Sequence, residues 1–200
     1  MGRLAGGAHA PSARRRLTSF LSLVPALLQI RQATALDSAP IWDIFHAVVA
    51  PGDTYTFDPS VRREEGLAYW LHSSNWCYVA EREQNIVGTY ILRANQPGLG
   101  AHVANAAFMV SPAARGLGVG RAMGEHSLGE ARRLGFRAMQ FNFVVSTNEP
   151  AVRLWQQLGF KIVGTLPGAF RHLEKGYVDA YVMFCSLNPS GGPDRHDASV

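Results

Sequence analysis

The chain has 200 residues, 47% of them hydrophobic and 17% charged, with a formal net charge of +4. Four Trp, six Tyr and ten Phe exclude a disordered chain, and no apolar run is long enough to span a bilayer. The excess charge does not argue for nucleic acid, because Arg3, Arg14, Arg15 and Arg16 carry all of it and residues 27–200 are balanced.

Taken in order, residues 1–26 read as a weakly ordered extension, Gly/Ala-rich up to Ala13. Arg14-Arg15-Arg16, the apolar run Leu17–Ile30 and Ala33-Thr34-Ala35 also fit a secretory signal with its cleavage site. Against that, Arg31 interrupts the region, and Leu27–Arg31 has the pattern of a first strand that cleavage would remove. The domain is therefore expected to span residues 27–187. Asp37 and Pro40 predict the start of a helix carrying Ile41, Ile44, Phe45 and Val48 at helical spacing. Pro51-Gly52-Asp53 ends it. Ser60 is expected to cap a second helix with Leu67, Trp70 and Leu71 on one face. Tyr55 and Phe57, in the loop between the helices, either line a cleft or anchor the loop.

Trp76–Glu81 and Ile86–Leu92 predict a hairpin turning at Glu83-Gln84-Asn85. Ala101–Val110 reads as a central strand, stopped by Ser111-Pro112 because proline lacks a ladder amide. Then comes Arg115-Gly116-Leu117-Gly118-Val119-Gly120-Arg121, feeding a helix to Leu134 with Gly135 at its end. A glycine-rich turn at a helix N-terminus is an anion site: the first amides have no helical partner and the dipole favours negative charge. The Rossmann spacing fails at Met123, and no Walker Gly-Lys-Ser/Thr and no G-x-S-x-G occurs. Gly120, Gly124, Ser127, Leu128, Ala131 and Leu134 share the inner face, and the small ones suggest a close approach to the sheet.

Arg137–Val145 predicts a further strand. Asn148 then caps a helix with Pro150 in its first turn and Ala151, Leu154, Trp155 and Leu158 in a stripe. Gly159 stops it; Phe160–Gly164 and Tyr177–Ser186 read as strands, and 188–200 as a flexible tail. Cys77 and Cys185 read as buried free thiols, and no metal-ligand spacing occurs.

Two segments carry a family resemblance. Arg115-x-x-Gly118-x-Gly120 resembles the Q/R-x-x-G-x-G/A pyrophosphate loop of the GCN5-related N-acetyltransferases. Asn148-x-x-Ala151-x-x-Leu154-Trp155-x-x-Leu158-Gly159-Phe160 resembles that family's second signature, in family order. The resemblance implies an α/β fold: a mixed, mostly antiparallel sheet whose central parallel strands splay around acetyl-CoA, with helices on both faces. It implies N-acetyl transfer by direct attack of an amine on the thioester, through a tetrahedral oxyanion that needs fixed donors. The implied cosubstrate contacts are a backbone amide and strand pairing within Phe108-Met109-Val110, Arg115 and the amides of Gly116, Leu117, Gly118, Val119, Gly120 and Arg121, then Asn148 near the pantetheine arm. The family's tyrosine acid is replaced by Trp155, whose indole cannot protonate a thiolate near neutral pH.

The central strands offer His102, Asn105, Gln140 and Asn142 and no carboxylate. His102 is the candidate base by its ordinary pKa, or else a solvated residue at a strand start. Phe141–Asn148 and Val178-Asp179-Ala180 further resemble the acetyltransferases that act on proline analogues such as azetidine-2-carboxylate, which implies that Asn105 and Asn142 bind a small substrate. Asparagines inside strands are costly unless paired, which independently favours a polar ligand or a mutual hydrogen bond. The expected protein is a cytoplasmic enzyme with a small-molecule amine acceptor, without nucleic-acid or membrane partner, and compatible with a homodimer. Acetylation of protein N-termini or lysines, or CoA binding without turnover, are the alternatives.

Overall fold

The computed structural model describes residues 1–2 and 27–188. The extension expected over 1–26 and the tail over 188–200 therefore lie almost wholly outside the described residues. The described elements begin with β1 (Gln29–Gln32), α1 (Ser38–Val49), α2 (Arg63–Trp70), β2 (Trp76–Arg82) and β3 (Asn85–Ala94). They continue with β4 (Val103–Val110), α3 (Val119–Arg133), β5 (Ala138–Val145), α4 (Glu149–Gln157), β6 (Lys161–His172) and β7 (Gly176–Ser186). The seven strands form one sheet in the order β1-β2-β3-β4-β5-β7-β6.

Every pairing is antiparallel except β4 with β5, which pair only at Val103↔Ala138 and Ala104↔Met139. Beyond those two positions the strands part, as the resemblance implied. The gap faces helices on both sides. One core packs Tyr90, Leu92, Ala104, Ala106 and Met139 against Val119, Met123 and Leu128 of α3 and Trp155 of α4. The other packs Val79, Ile91 and Met109 against Ile41, Phe45 and Val49 of α1 and Trp70 of α2. Period-two alternation along β4 divides its side chains between the two.

Some local expectations are corrected. Asp37 stands at the N-cap of α1 but makes no side-chain cap there. Its carboxylate accepts from the Arg31 guanidinium at 2.8 and 2.9 Å and from the Thr34 amide at 2.7 Å, tying β1 to α1. Ser60 does not cap α2, which starts three residues later; it bonds Asp58 instead, its amide donating at 2.8 Å. The hairpin turn is two residues long, with Glu83 (φ 50°) and Gln84 (φ 63°) both left-handed, as a tight β2–β3 connection requires. The strand expected to end at Gly164 runs on to His172.

The small face of α3 serves α4 as well as the sheet, since a Cβ on Gly120 would already meet Leu154 at 3.5 Å and Val110 at 3.8 Å. A Cβ on Gly124 would lie 2.5 Å from Leu158 and 3.1 Å from Trp155, so this glycine makes room for α4. Cys77 and Cys185 are buried and free.

Candidate active site

The glycine turn is built on backbone conformation. Gly116 and Gly118 both sit at φ 78°, in the left-handed region, and a Cβ on either would meet nothing within 4 Å. Side-chain room is not what excludes other residues there; the dihedral is. Gly118 is the N-cap of α3, so the first amides of that helix follow it and face outward. Leu117's amide is turned into the loop, donating to the Ala114 carbonyl at 3.3 Å. Arg115, Gly116, Leu117 and Gly118 are exposed, while Val119 is buried and anchors the turn. Arg121 reaches Gln157 on α4 and Glu125 one helical turn on. An open, glycine-lined helix start with an arginine at each end fits a pyrophosphate.

Odd-numbered positions of β4 serve β3: Val103 accepts from Asn95, and Ser111, which continues the register, donates to Val87. Even-numbered positions therefore face the gap, so the main-chain groups of Phe108 and Val110 point there, whereas those of Met109, a residue 1% exposed, point to β3. In the gap, the Tyr55 hydroxyl donates to the Phe108 carbonyl at 2.7 Å and accepts from the Phe108 amide at 3.1 Å. Burial pushes the Tyr55 phenol well above its ordinary pKa, so it stays protonated at neutral pH. The two roles considered for Tyr55 thus coincide, since it anchors its loop and lines the cleft.

At the parting point, Asn105 Nδ2 donates to the Gln140 carbonyl at 2.8 Å, filling the place of the ladder bond that the splay removes. Asn142 is exposed rather than interior. It accepts from Gln140 Nε2 at 2.8 Å and donates to Asn95 Oδ1 at 2.7 Å. Both asparagines line a cleft of about 330 Å³, together with Tyr55, Tyr69, Asn148 and Trp155. Asn148 Oδ1 accepts from the Ala151 amide at 3.4 Å, so the expected cap is formed. Trp155, 8% exposed, sits 4.7 Å from Phe108 and 4.8 Å from Phe141, ring centre to ring centre, and walls the cleft.

His102 is not brought to the cleft. It is exposed at the closed end of β4, with Nδ1 3.1 Å from the Leu99 carbonyl. Among the described residues, the cleft lining holds no carboxylate and no imidazole; its only ionised side chain is Arg93, which sequence reasoning passed over. The Thr54 hydroxyl, also on the lining, is buried without a hydrogen-bond partner.

A sheet splayed at one parallel pair, with a glycine-rich helix start below the gap, defines an acyl-CoA transferase. The model of the Acetyltransferase (GNAT) family matches residues 42–160, and the chain belongs to that family. It is 38% identical to the N-acetyltransferase aca1 of Schizosaccharomyces pombe over 148 residues, 66% of this chain and 71% of aca1. A GCN5-related N-acetyltransferase from Kribbella flavida superposes with a TM-score of 0.77 at 44% identity, over 80% of this chain and 97% of its own. The Salmonella typhimurium acetyltransferase yncA, solved with its cofactor acetyl-CoA, gives 0.72 at 25% identity, over 84% and 98%. The protein is an acetyl-CoA-dependent N-acetyltransferase. No helix among the described residues is long and apolar enough to cross a membrane.

Proposed function

We propose that the acceptor is the amine of a small molecule, amino-acid-like in kind, taken into the cleft at the parting of β4 and β5. The observation that carries this is the cleft itself: about 330 Å³, walled by aromatic rings and side-chain amides, with no carboxylate among the described lining residues. That volume suits a small ligand. A basic peptide tail would find no acid to pair with, which weighs against lysine acetylation. The resemblance of Phe141–Asn148 to the proline-analogue acetyltransferases points the same way. The acetyltransferase domain is taken as residues 27–187, with 1–26 and 188–200 flanking it.

In this reading, the Tyr55 hydroxyl gives up the Phe108 amide, which then donates to the thioester oxygen and stabilises the charge that grows there. The amine nitrogen bonds to the carbonyl carbon, and the carbon–sulfur bond breaks. Solvent takes the amine proton and supplies the one the thiolate accepts. A CoA thiolate, with an ordinary pKa of about 8.5, leaves without a protein acid, so Trp155 in place of tyrosine does not prevent turnover. Asn105 and Asn142 orient the acceptor, Asn148 and the Gly116–Arg121 turn hold the cosubstrate, and Trp155 shapes the wall. Val110 and Arg115 complete the cosubstrate contacts.

The test is thiol release from acetyl-CoA over a panel of cyclic and acyclic amino acids, polyamines and basic peptides. Turnover of the amino acids, with the peptides inert, is the expected result. Turnover confined to peptides overturns the acceptor reading, and CoA binding without any turnover overturns the catalytic one.

A further inference from the structure

Arg93 lies on β3 at the position paired with Asn105 of β4. Directly opposed residues of an antiparallel pair point to the same face with Cβ atoms roughly 4.5–5.5 Å apart. The Arg93 guanidinium is 5.3 Å from the centre of the Tyr69 ring and donates to the Tyr69 hydroxyl at 3.2 Å. No ion pair among the described residues involves it, although its side chain is half-buried on the cleft wall. A guanidinium carries five N–H donors, and among the described residues only one is committed to a protein acceptor. A partly desolvated cation held against an aromatic ring, with donors to spare, is a preorganised carboxylate receptor.

Beside it, Asn105 spends its Nδ2 on Gln140 and keeps Oδ1 free to accept from an amine. An amine acceptor and a carboxylate donor fork thus stand next to each other on one face. Groups that share one face at opposed register positions suit an α-amino acid, whose amino nitrogen and carboxyl carbon are two bonds apart. From this juxtaposition we infer that Arg93 is the residue that binds the carboxylate of the amino-acid-like acceptor, while Asn105 meets the amine. Tyr69 is the positioning residue behind Arg93. The inference rests on the cleft being the acceptor site.

The experiment compares L-azetidine-2-carboxylate and L-alanine with their carboxamides, on the wild-type enzyme and on Arg93→Met and Arg93→Lys. The wild type is expected to prefer at least one acid over its amide by about tenfold or more in kcat/KM, the scale of a hydrogen bond to a charged group. Arg93→Met should lose that preference through KM, cost the amide far less than the acid, and keep the melting temperature and the calorimetric affinity for acetyl-CoA. Arg93→Lys should restore part of the preference, since an ammonium supplies the charge without the fork. Equal turnover of acid and amide by the wild type overturns the carboxylate assignment and leaves the small-acceptor reading standing. Equal losses on acid and amide in Arg93→Met overturn it as well, reducing Arg93 to a wall residue. Turnover of neither compound, with polyamines or peptides accepted instead, overturns both together.

Discussion

The two ends of the gap between β4 and β5 are made of different materials. The end proposed for the cosubstrate is main chain: two left-handed glycines, the first amides of α3 and the even-numbered groups of β4. The end proposed for the acceptor is side chain: Asn105, Asn142, Arg93 and the rings of Tyr55 and Tyr69. A main-chain site recognises what every acyl-CoA shares and tolerates changes of side chain around it. A side-chain site is where the choice of acceptor resides, and it can change without disturbing the first.

The sharpest break between the halves is Gly118→Asp. Space is available for the side chain, so the fold should survive, with left-handed strain of about 1–2 kcal/mol. A carboxylate at this helix start repels the pyrophosphate, and calorimetry should show acetyl-CoA affinity lost by a factor of about a hundred or more. Unchanged affinity in the folded variant removes the turn from the site.

Next in size is Asn142→Ala, expected to lower kcat/KM for the acceptor about tenfold, or roughly 1.4 kcal/mol, with acetyl-CoA affinity intact. If Asn142 only secures Gln140 and Asn95, the melting temperature falls instead and turnover per folded molecule stays. The pH profile probes the same half. With no carboxylate or imidazole among the described residues of the cleft wall, log kcat/KM should rise with unit slope to the acceptor's own amine pKa, and shift between two acceptors that differ in it. Coincident profiles for both acceptors would expose a protein base.

Much of the main-chain half is legible in the sequence, because a required φ and a capped helix leave fixed spacings: Gly118, Gly120, Gly135, Asn148 and Pro150 all stand where their pattern puts them. The side-chain half is legible only in outline. Asn105 and Asn142 are conspicuous in apolar strands, yet their partners, Gln140 and Asn95, follow from the β4–β5 register and a loop that no local pattern encodes. Arg93 escaped because it ends a strand, where a charge is unremarkable; only its pairing with Asn105 gives it meaning. Asp37 had the pattern of a helix cap, and a distant arginine took its carboxylate.

That clamp supplies a control belonging to neither half. Arg31 holds the Asp37 carboxyl far below its ordinary pKa of 3.8. A depressed folded pKa means stability present above the ordinary value and lost as pH falls through the folded one. Asp37→Asn should therefore lower the melting temperature by several degrees at pH 7, with the deficit shrinking below about pH 4, and impair both halves alike. A chain beginning at Leu36, which lacks Arg31 and β1, should aggregate, whereas one beginning at Ala26 should keep full activity. The smallest expected effect is that of Tyr55→Phe. Freeing the Phe108 amide and carbonyl should tighten acetyl-CoA about fivefold, the net worth of one hydrogen bond near 1 kcal/mol. Unchanged affinity would mean that the phenol yields its place at no cost.

The Tyr55 phenol has a second consequence, for the chain before any ligand arrives. Splaying a sheet at its centre creates two raw strand margins, and a raw margin is a template for another chain's strand. Barrels solve this by closure and open sheets by charges at the rim; a sheet that must open in its middle to work can use neither. Here each margin carries a side chain acting as a removable cover, Tyr55 over Phe108 and Asn105 over Gln140. Each mimics one rung of a ladder without extending it, so the strand margins offer a second polypeptide fewer unpaired groups to template on.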